Sequence, residues 1–159
     1  MIVNRTTYID QLVRSRGNGL IKIVTGIRRS GKSFLLKKLF RQHLLDDGVQ
    51  DDHIIIIDME SRKNKAFKDP DYLLDYIDNV MKDDNTYYII IDEVQEVNDF
   101  VEVLSTLSVT EGTDVYVTGS NSRFLSSDVV TEFRGRGDEI HVWPLSLMES
   151  TYKKCLREE

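Results

Sequence analysis

The sequence predicts an α/β fold built on a parallel sheet, and three observations point there. Five apolar, β-branched segments punctuate the 159 residues: IKIVT (21–25), HIIII (53–57), YYIII (87–91), DVYVT (114–118) and EIHVW (139–143). The middle ones are nearly all apolar rather than alternating, which is the pattern of strands covered on both faces. Helical patterns lie between them, and strand–helix alternation implies βαβ units with right-handed crossovers.

In chain order, Thr7 to Val13 reads as a short helix before the first strand. Residues 32–45 place Leu35, Leu36, Leu39, Phe40 and Leu44 on one helical stripe. Residues 71–82 do the same with Leu73, Leu74, Ile77, Val80 and Met81. Residues 100–109 follow Asp99, with Glu102 three positions on, and this spacing predicts a capping box. Loops are expected at 46–52, 60–71 and 134–139. Repeats, low-complexity tracts and an internal linker are absent from the sequence, so residues 1–150 read as one domain.

Composition narrows the function. No apolar run approaches the ~18 residues that span a bilayer, and MIVNRTTYIDQL lacks the apolar stretch of a secretion signal. Cys155 is the single cysteine and His43, His53 and His141 are scattered, which argues against a disulfide and a Cys/His zinc site. A cytoplasmic setting without membrane contact is the expectation. The net charge of −6 divides unevenly: residues 1–50 carry +7 and the remainder −13. An acidic chain is a poor electrostatic coat for nucleic acid, and no basic-aromatic surface is readable in it.

GIRRSGKS (26–33) matches G-x-x-x-x-G-K-[ST] between a strand and a helix. Gly26 and Gly31 let the backbone curl so that its N–H groups face phosphate oxygens. Lys32 is expected to reach the terminal phosphates, and Ser33 to offer its hydroxyl to Mg²⁺. Ile27, Arg28, Arg29 and Ser30 complete the loop and Phe34 follows it. The two arginines are expected in solvent.

YYIIIDEVQEV (87–97) delivers Asp92 and Glu93 to the C-terminal end of a strand, the edge where parallel sheets bind ligands. Asp92 is the expected second Mg²⁺ holder, directly or through water. Glu93 is the expected base for a water attacking the γ-phosphorus. In VYVTGSNSR (115–123), Ser120 and Asn121 are placed to approach that water. Glu60, after the second strand, reads as an acid starting a loop, and Trp143 and Pro144 read as packing residues.

GIRRSGKS, IIIDEVQEV, VTGSNSRFLSS, FRGRG and VWPLSLMES together resemble the P-loop domain of AAA-type ATPases of bacteria and archaea. In many of these a second domain, similar to a restriction endonuclease, follows. The resemblance implies a three-layer P-loop NTPase fold, with helices on both faces of a parallel five-stranded sheet of order 5-1-4-3-2. It implies ATP and Mg²⁺ as ligands, Walker A at Gly26, Gly31, Lys32 and Ser33, Walker B at Asp92 and Glu93, and a sensor at Ser120 or Asn121. It makes Arg136, with Arg134 second, the candidate arginine that a neighbouring subunit inserts into the site. Residues 151–159 are expected to begin a truncated C-terminal region. The leading expectation is Mg²⁺-dependent ATP hydrolysis coupled to conformational change. The alternatives are a nucleotide-dependent switch with little hydrolysis and a small-molecule kinase. GTP is disfavoured because NKAF (64–67) lacks the Asp of N-K-x-D.

Overall fold

The computed structural model describes residues 5–120 and 137–144. Five strands, β1 (Ile21–Thr25), β2 (Ile54–Asp58), β3 (Tyr87–Asp92), β4 (Thr113–Thr118) and β5 (Gly137–His141), form one sheet in the order β2-β3-β4-β1-β5. All neighbouring pairs are parallel. This is the expected order read from the other edge. The helices are α1 (Thr6–Arg14), α2 (32–46), α3 (Pro70–Val80) and α4 (Phe100–Val109).

The all-apolar strands have a helix layer on each side. Ile23, Ile57, Ile89, Ile91 and Val117 point to one face, against Leu73 and Ile77 of α3 and Phe100, Val103, Leu104 and Leu107 of α4. Their alternate neighbours Val24, Ile54, Ile90 and Tyr116 point to the other, against Leu12 of α1 and Leu35, Leu36, Phe40 and Leu44 of α2. Each fully buried side chain of this kind stabilises by ~1.5–3 kcal/mol. Four of them anchor α2 although its middle, Leu35–Phe40, is wound as a π-helix.

Several boundaries differ from the sequence expectation. β2 starts at Ile54 because His53 closes a 3₁₀ turn, Asp51–His53. β5 starts two residues early, at Gly137, because it pairs with β1 from Ile21↔Gly137 onward. Gly137 and Asp138 are weak strand formers, so propensity hides this start. The 60–71 loop contains a 3₁₀ turn, Arg62–Lys68, and α3 then begins at Pro70. The Asp69 carboxylate caps α3, accepting the N–H of Asp71 (2.9 Å) and Tyr72 (3.2 Å). The expected capping box at Asp99 does not form. Asp99 is left-handed (φ 49°), not extended as a side-chain cap requires, and its backbone carbonyl takes Glu102 N–H instead.

Candidate functional site

Three strand ends supply the site, all on the C-terminal edge. β1 runs into the loop 26–31 and α2, β3 ends in Asp92 and Glu93, and β4 ends in Thr118, two residues before Ser120. β1 sits between β4 and β5, whereas the chain leaves β1 for β2 at the far edge, so the loop opens where the topology reverses.

The loop needs its glycines for space and for dihedral angle. Gly26 has φ 145°, and a Cβ there would stand 2.3 Å from the Val142 carbonyl oxygen. Gly31 has φ 92° and starts α2. Arg28 and Arg29 are exposed, as expected, and so is Ile27, while Ser30 is buried. Lys32 is 4% exposed and turns back into the loop, donating to the carbonyls of Gly26 (3.0 Å) and Ile27 (2.9 Å). Burial holds its pKa below the ordinary lysine value, against the opposing pull of Glu93, Asp92 and Glu60.

Asp92 is the hub. It is fully buried, and its Oδ1 accepts from Ser33 Oγ (2.7 Å) and Thr118 Oγ1 (2.6 Å). Its Oδ2 makes an ion pair with Lys37 Nζ at 3.0 Å but no hydrogen bond of good geometry. Lys37 Nζ also donates to Asp58 Oδ2 at 2.9 Å. Burial lowers the Lys37 pKa, but the carboxylates of Asp58 and Asp92 beside it outweigh that and leave it raised.

Glu93 follows in a left-handed conformation (φ 56°), rare for a residue with a side chain. Its N–H is held by Thr118 Oγ1 (2.9 Å). Its carboxylate accepts from Ser120 Oγ (2.9 and 3.1 Å) and from Gln95 Nε2. Lys32, Ser33, Glu60 and Glu93 line one cavity of about 390 Å³, which Arg28, Arg29 and Phe34 complete. Glu60 is thus exposed, as expected, and also forms part of the cavity wall.

The structure therefore brings Lys32, Ser33, Asp92, Glu93 and Ser120 together. Asn121, Arg134 and Arg136 lie outside the described residues. Trp143 does not pack: it is 67% exposed, with its ring edge-on to His141. Sequence reasoning missed Thr118, Gln95, Lys37 and Asp58. One signal was available, since HIIIID and YYIIID both end in Asp, and parallel pairing puts Asp58 beside Asp92.

A P-loop NTPase fold with an acidic pair beside its phosphate-type loop defines the class. A family model described as an AAA domain matches residues 18–151, and the chain belongs to that family. It is 33% identical over 154 residues to an uncharacterized protein of Haemophilus influenzae, covering 96% of this chain. The chain spans 38% of that relative's length. Among solved structures, C. elegans PCH-2 is similar with a TM-score of 0.60 at 17% identity, over 96% of this chain and 46% of that one. A DNA polymerase III gamma subunit-related protein of Thermotoga maritima gives 0.60 at 11% identity, over 96% and 50%. At such identities the likeness is one of fold. Among the described residues, no helix is long and apolar enough to cross a membrane.

Proposed function

We propose that this domain binds a nucleoside triphosphate, with ATP the first choice, together with Mg²⁺, and hydrolyses its terminal phosphoanhydride bond. One observation carries the reading: a buried lysine, a serine and a glutamate face one cavity at the mouth of a glycine loop, and the serine hydroxyl donates to the buried Asp92 behind it at 2.7 Å.

In this reading, residues 26–34 cradle the phosphates. Lys32 exchanges the Gly26 and Ile27 carbonyls for phosphate oxygens, a stronger partner for an ammonium. The donor set fits Mg²⁺, which prefers hard oxygens: Asp92 Oδ2 is buried without a hydrogen bond, and Ser33 Oγ lies beside the same carboxylate. Ser33 and Asp92 would hold the ion, and when bound it neutralises charge on the β- and γ-phosphate oxygens. Glu93 accepts a proton from water as the water oxygen attacks the γ-phosphorus, and the bond from phosphorus to the bridging oxygen breaks. Ser120, with Asn121, orients that water or the Glu93 carboxylate. Arg136 from a second copy supplies the remaining positive charge. Coupling of nucleotide state to conformational change belongs to the same proposal. So does delivery of that change to a restriction-endonuclease-like domain in longer relatives.

One observation favours a second reading, a switch with slow hydrolysis. The Glu93 carboxylate is already engaged by Gln95 and Ser120, so those hydrogen bonds must be given up before it can meet an attacking water. Glu93→Gln separates the readings. Hydrolysis predicts retained ATP binding with turnover about 100-fold slower or worse. Equal turnover in wild type and variant would remove Glu93 as the base. Turnover per subunit that stays near zero at all protein concentrations, despite binding, would favour the switch. Turnover that climbs with concentration would support an arginine from a second copy.

A further inference from the structure

Lys32 and Lys37 stand five positions apart on α2, and they face different partners. Lys32 closes on the loop. Lys37 projects from the π-wound stretch, where wider winding shifts side-chain directions, and π-helical turns concentrate at functional sites. It reaches two different strands at once, 2.9 Å from Asp58 Oδ2 on β2 and 3.0 Å from Asp92 Oδ2 on β3.

Parallel register puts those two aspartates side by side, Asp58↔Asp92. Glu60 follows two residues on, and one oxygen from each of the three carboxylates lies within 4.8 Å of the others. Three carboxylates so close repel one another, and a hard divalent cation is the usual remedy. Here the cation between the two aspartates is an ammonium. Asp92 is fully buried and its Oδ2 carries no hydrogen bond, so the ion pair with Lys37 is that oxygen's one described partner.

We infer that Lys37 is a built-in counter-cation, a positioning residue that keeps the Asp58–Glu60–Asp92 cluster closed to free divalent metal, so that metal enters only together with nucleotide phosphates. The inference rests on the proposed function, in which Asp92 serves the metal. An ammonium and a divalent ion cannot both sit against Asp92 Oδ2 without strong repulsion. Phosphate oxygens tip the balance by adding ligands and negative charge. Without that gate, the cluster would load metal in the absence of nucleotide, and nucleotide would meet a site already neutralised.

The test is Mn²⁺ binding, read by electron paramagnetic resonance of free Mn²⁺, on the full chain. It compares wild type, Lys37→Met, Lys37→Arg and the double variant Lys37→Met/Asp58→Asn, each with and without ATP. Without nucleotide, Lys37→Met is expected to bind Mn²⁺ at least tenfold more tightly than wild type. Lys37→Arg, which keeps the charge, should stay as closed as wild type, and Asp58→Asn should reverse the gain. A merely structural lysine would give no gain in metal binding. If Lys37→Met does not fold, wild type still decides: tight Mn²⁺ binding without ATP overturns the inference. Equal Mn²⁺ affinity in wild type and Lys37→Met, with Mn²⁺–ATP binding intact in both, overturns it and leaves the nucleotide reading standing. Failure of wild type to bind Mn²⁺–ATP at all removes both.

Discussion

At the N-terminal edge of the sheet, Lys22 and Asp114 are both buried and paired, and every polar atom of their network is used. Lys22 Nζ bonds Asp114 Oδ1 and the Leu20 carbonyl and lies 5.0 Å over the Tyr116 ring. Asp114 Oδ2 accepts from Gly17 N–H (3.0 Å) and Tyr116 OH (2.9 Å). Burial, reinforced by Asp114, holds that phenol above its ordinary pKa. At the C-terminal edge, about 20 Å or less away along five- and six-residue strands, several polar atoms stay unpaired. Arg5 Nη1, Ser30 Oγ, Asp92 Oδ2 and Gln95 Oε1 are buried without a hydrogen bond, and among the described residues these are the only such side-chain atoms. Arg5 Nη1 lies 3.6 Å from where a Cβ on Gly31 would stand, and Gln95 is bonded to Glu93. Unsatisfied buried groups are rare in folded proteins. Their collection on one edge separates polar residues satisfied within the fold from polar residues that, in the proposed function, meet a ligand.

The largest expected effect breaks the closed edge. Asp114→Ala strands Lys22, which is 0% exposed, and removes the partner of the Tyr116 hydroxyl. Removing one member of a buried pair costs ~3–5 kcal/mol. Urea denaturation should show a loss of that size, and a loss below ~1 kcal/mol would mean that the network does not hold the sheet.

The same operation on the open edge should do little. Ser30 is buried, and its hydroxyl has no partner to lose. Ser30→Ala removes a group desolvated without compensation, so stability should stay within ~1 kcal/mol and move upward. A loss above ~2 kcal/mol would show that Ser30 belongs to the fold, and the contrast between the edges would fail there.

The fold and one side of this contrast, the C-terminal edge, were largely legible in the sequence. Continuous apolar runs mark strands covered on both faces whatever their tertiary neighbours, so the strands could be read, and the loop and acidic pair are contiguous motifs. What stayed hidden depends on distant chain segments meeting. Lys22 inside IKIVT reads as an interruption until Asp114 arrives from a strand 92 residues later. Thr118 becomes a site residue because its hydroxyl spans Asp92 and the Glu93 N–H. Lys37 becomes a site residue only because the parallel register of β2 and β3 brings Asp58 and Asp92 side by side within its reach. Asp99 fails as a cap because of a dihedral angle that residue type does not determine.

The smallest expected effect extends the closed edge to His53, just before β2. Its Nδ1 lies 2.6 Å from Asp52 Oδ1 and its Nε2 2.8 Å from Asp83 Oδ2, with the ring stacked on Tyr87 at 4.4 Å. Both nitrogens can donate to carboxylates only in the imidazolium form. Accordingly the His53 pKa is raised, chiefly by Asp52, with burial opposing and Asp83 assisting. The Asp83 pKa is lowered, first by the Asn85 N–H and then, against desolvation, by His53. A raised histidine contributes its full stability below its unfolded value of ~6.5 and loses it as pH climbs through the folded value. A lowered aspartate contributes above its own unfolded value and loses it in acid. The melting temperature should therefore fall on raising the pH from 6 to 9, and His53→Gln should flatten that slope. Asp52 is exposed, so 0.5 M salt should shrink the effect. A melting temperature that rises across this window would show that His53 is neutral in the folded chain, and the closed edge would then end at Lys22.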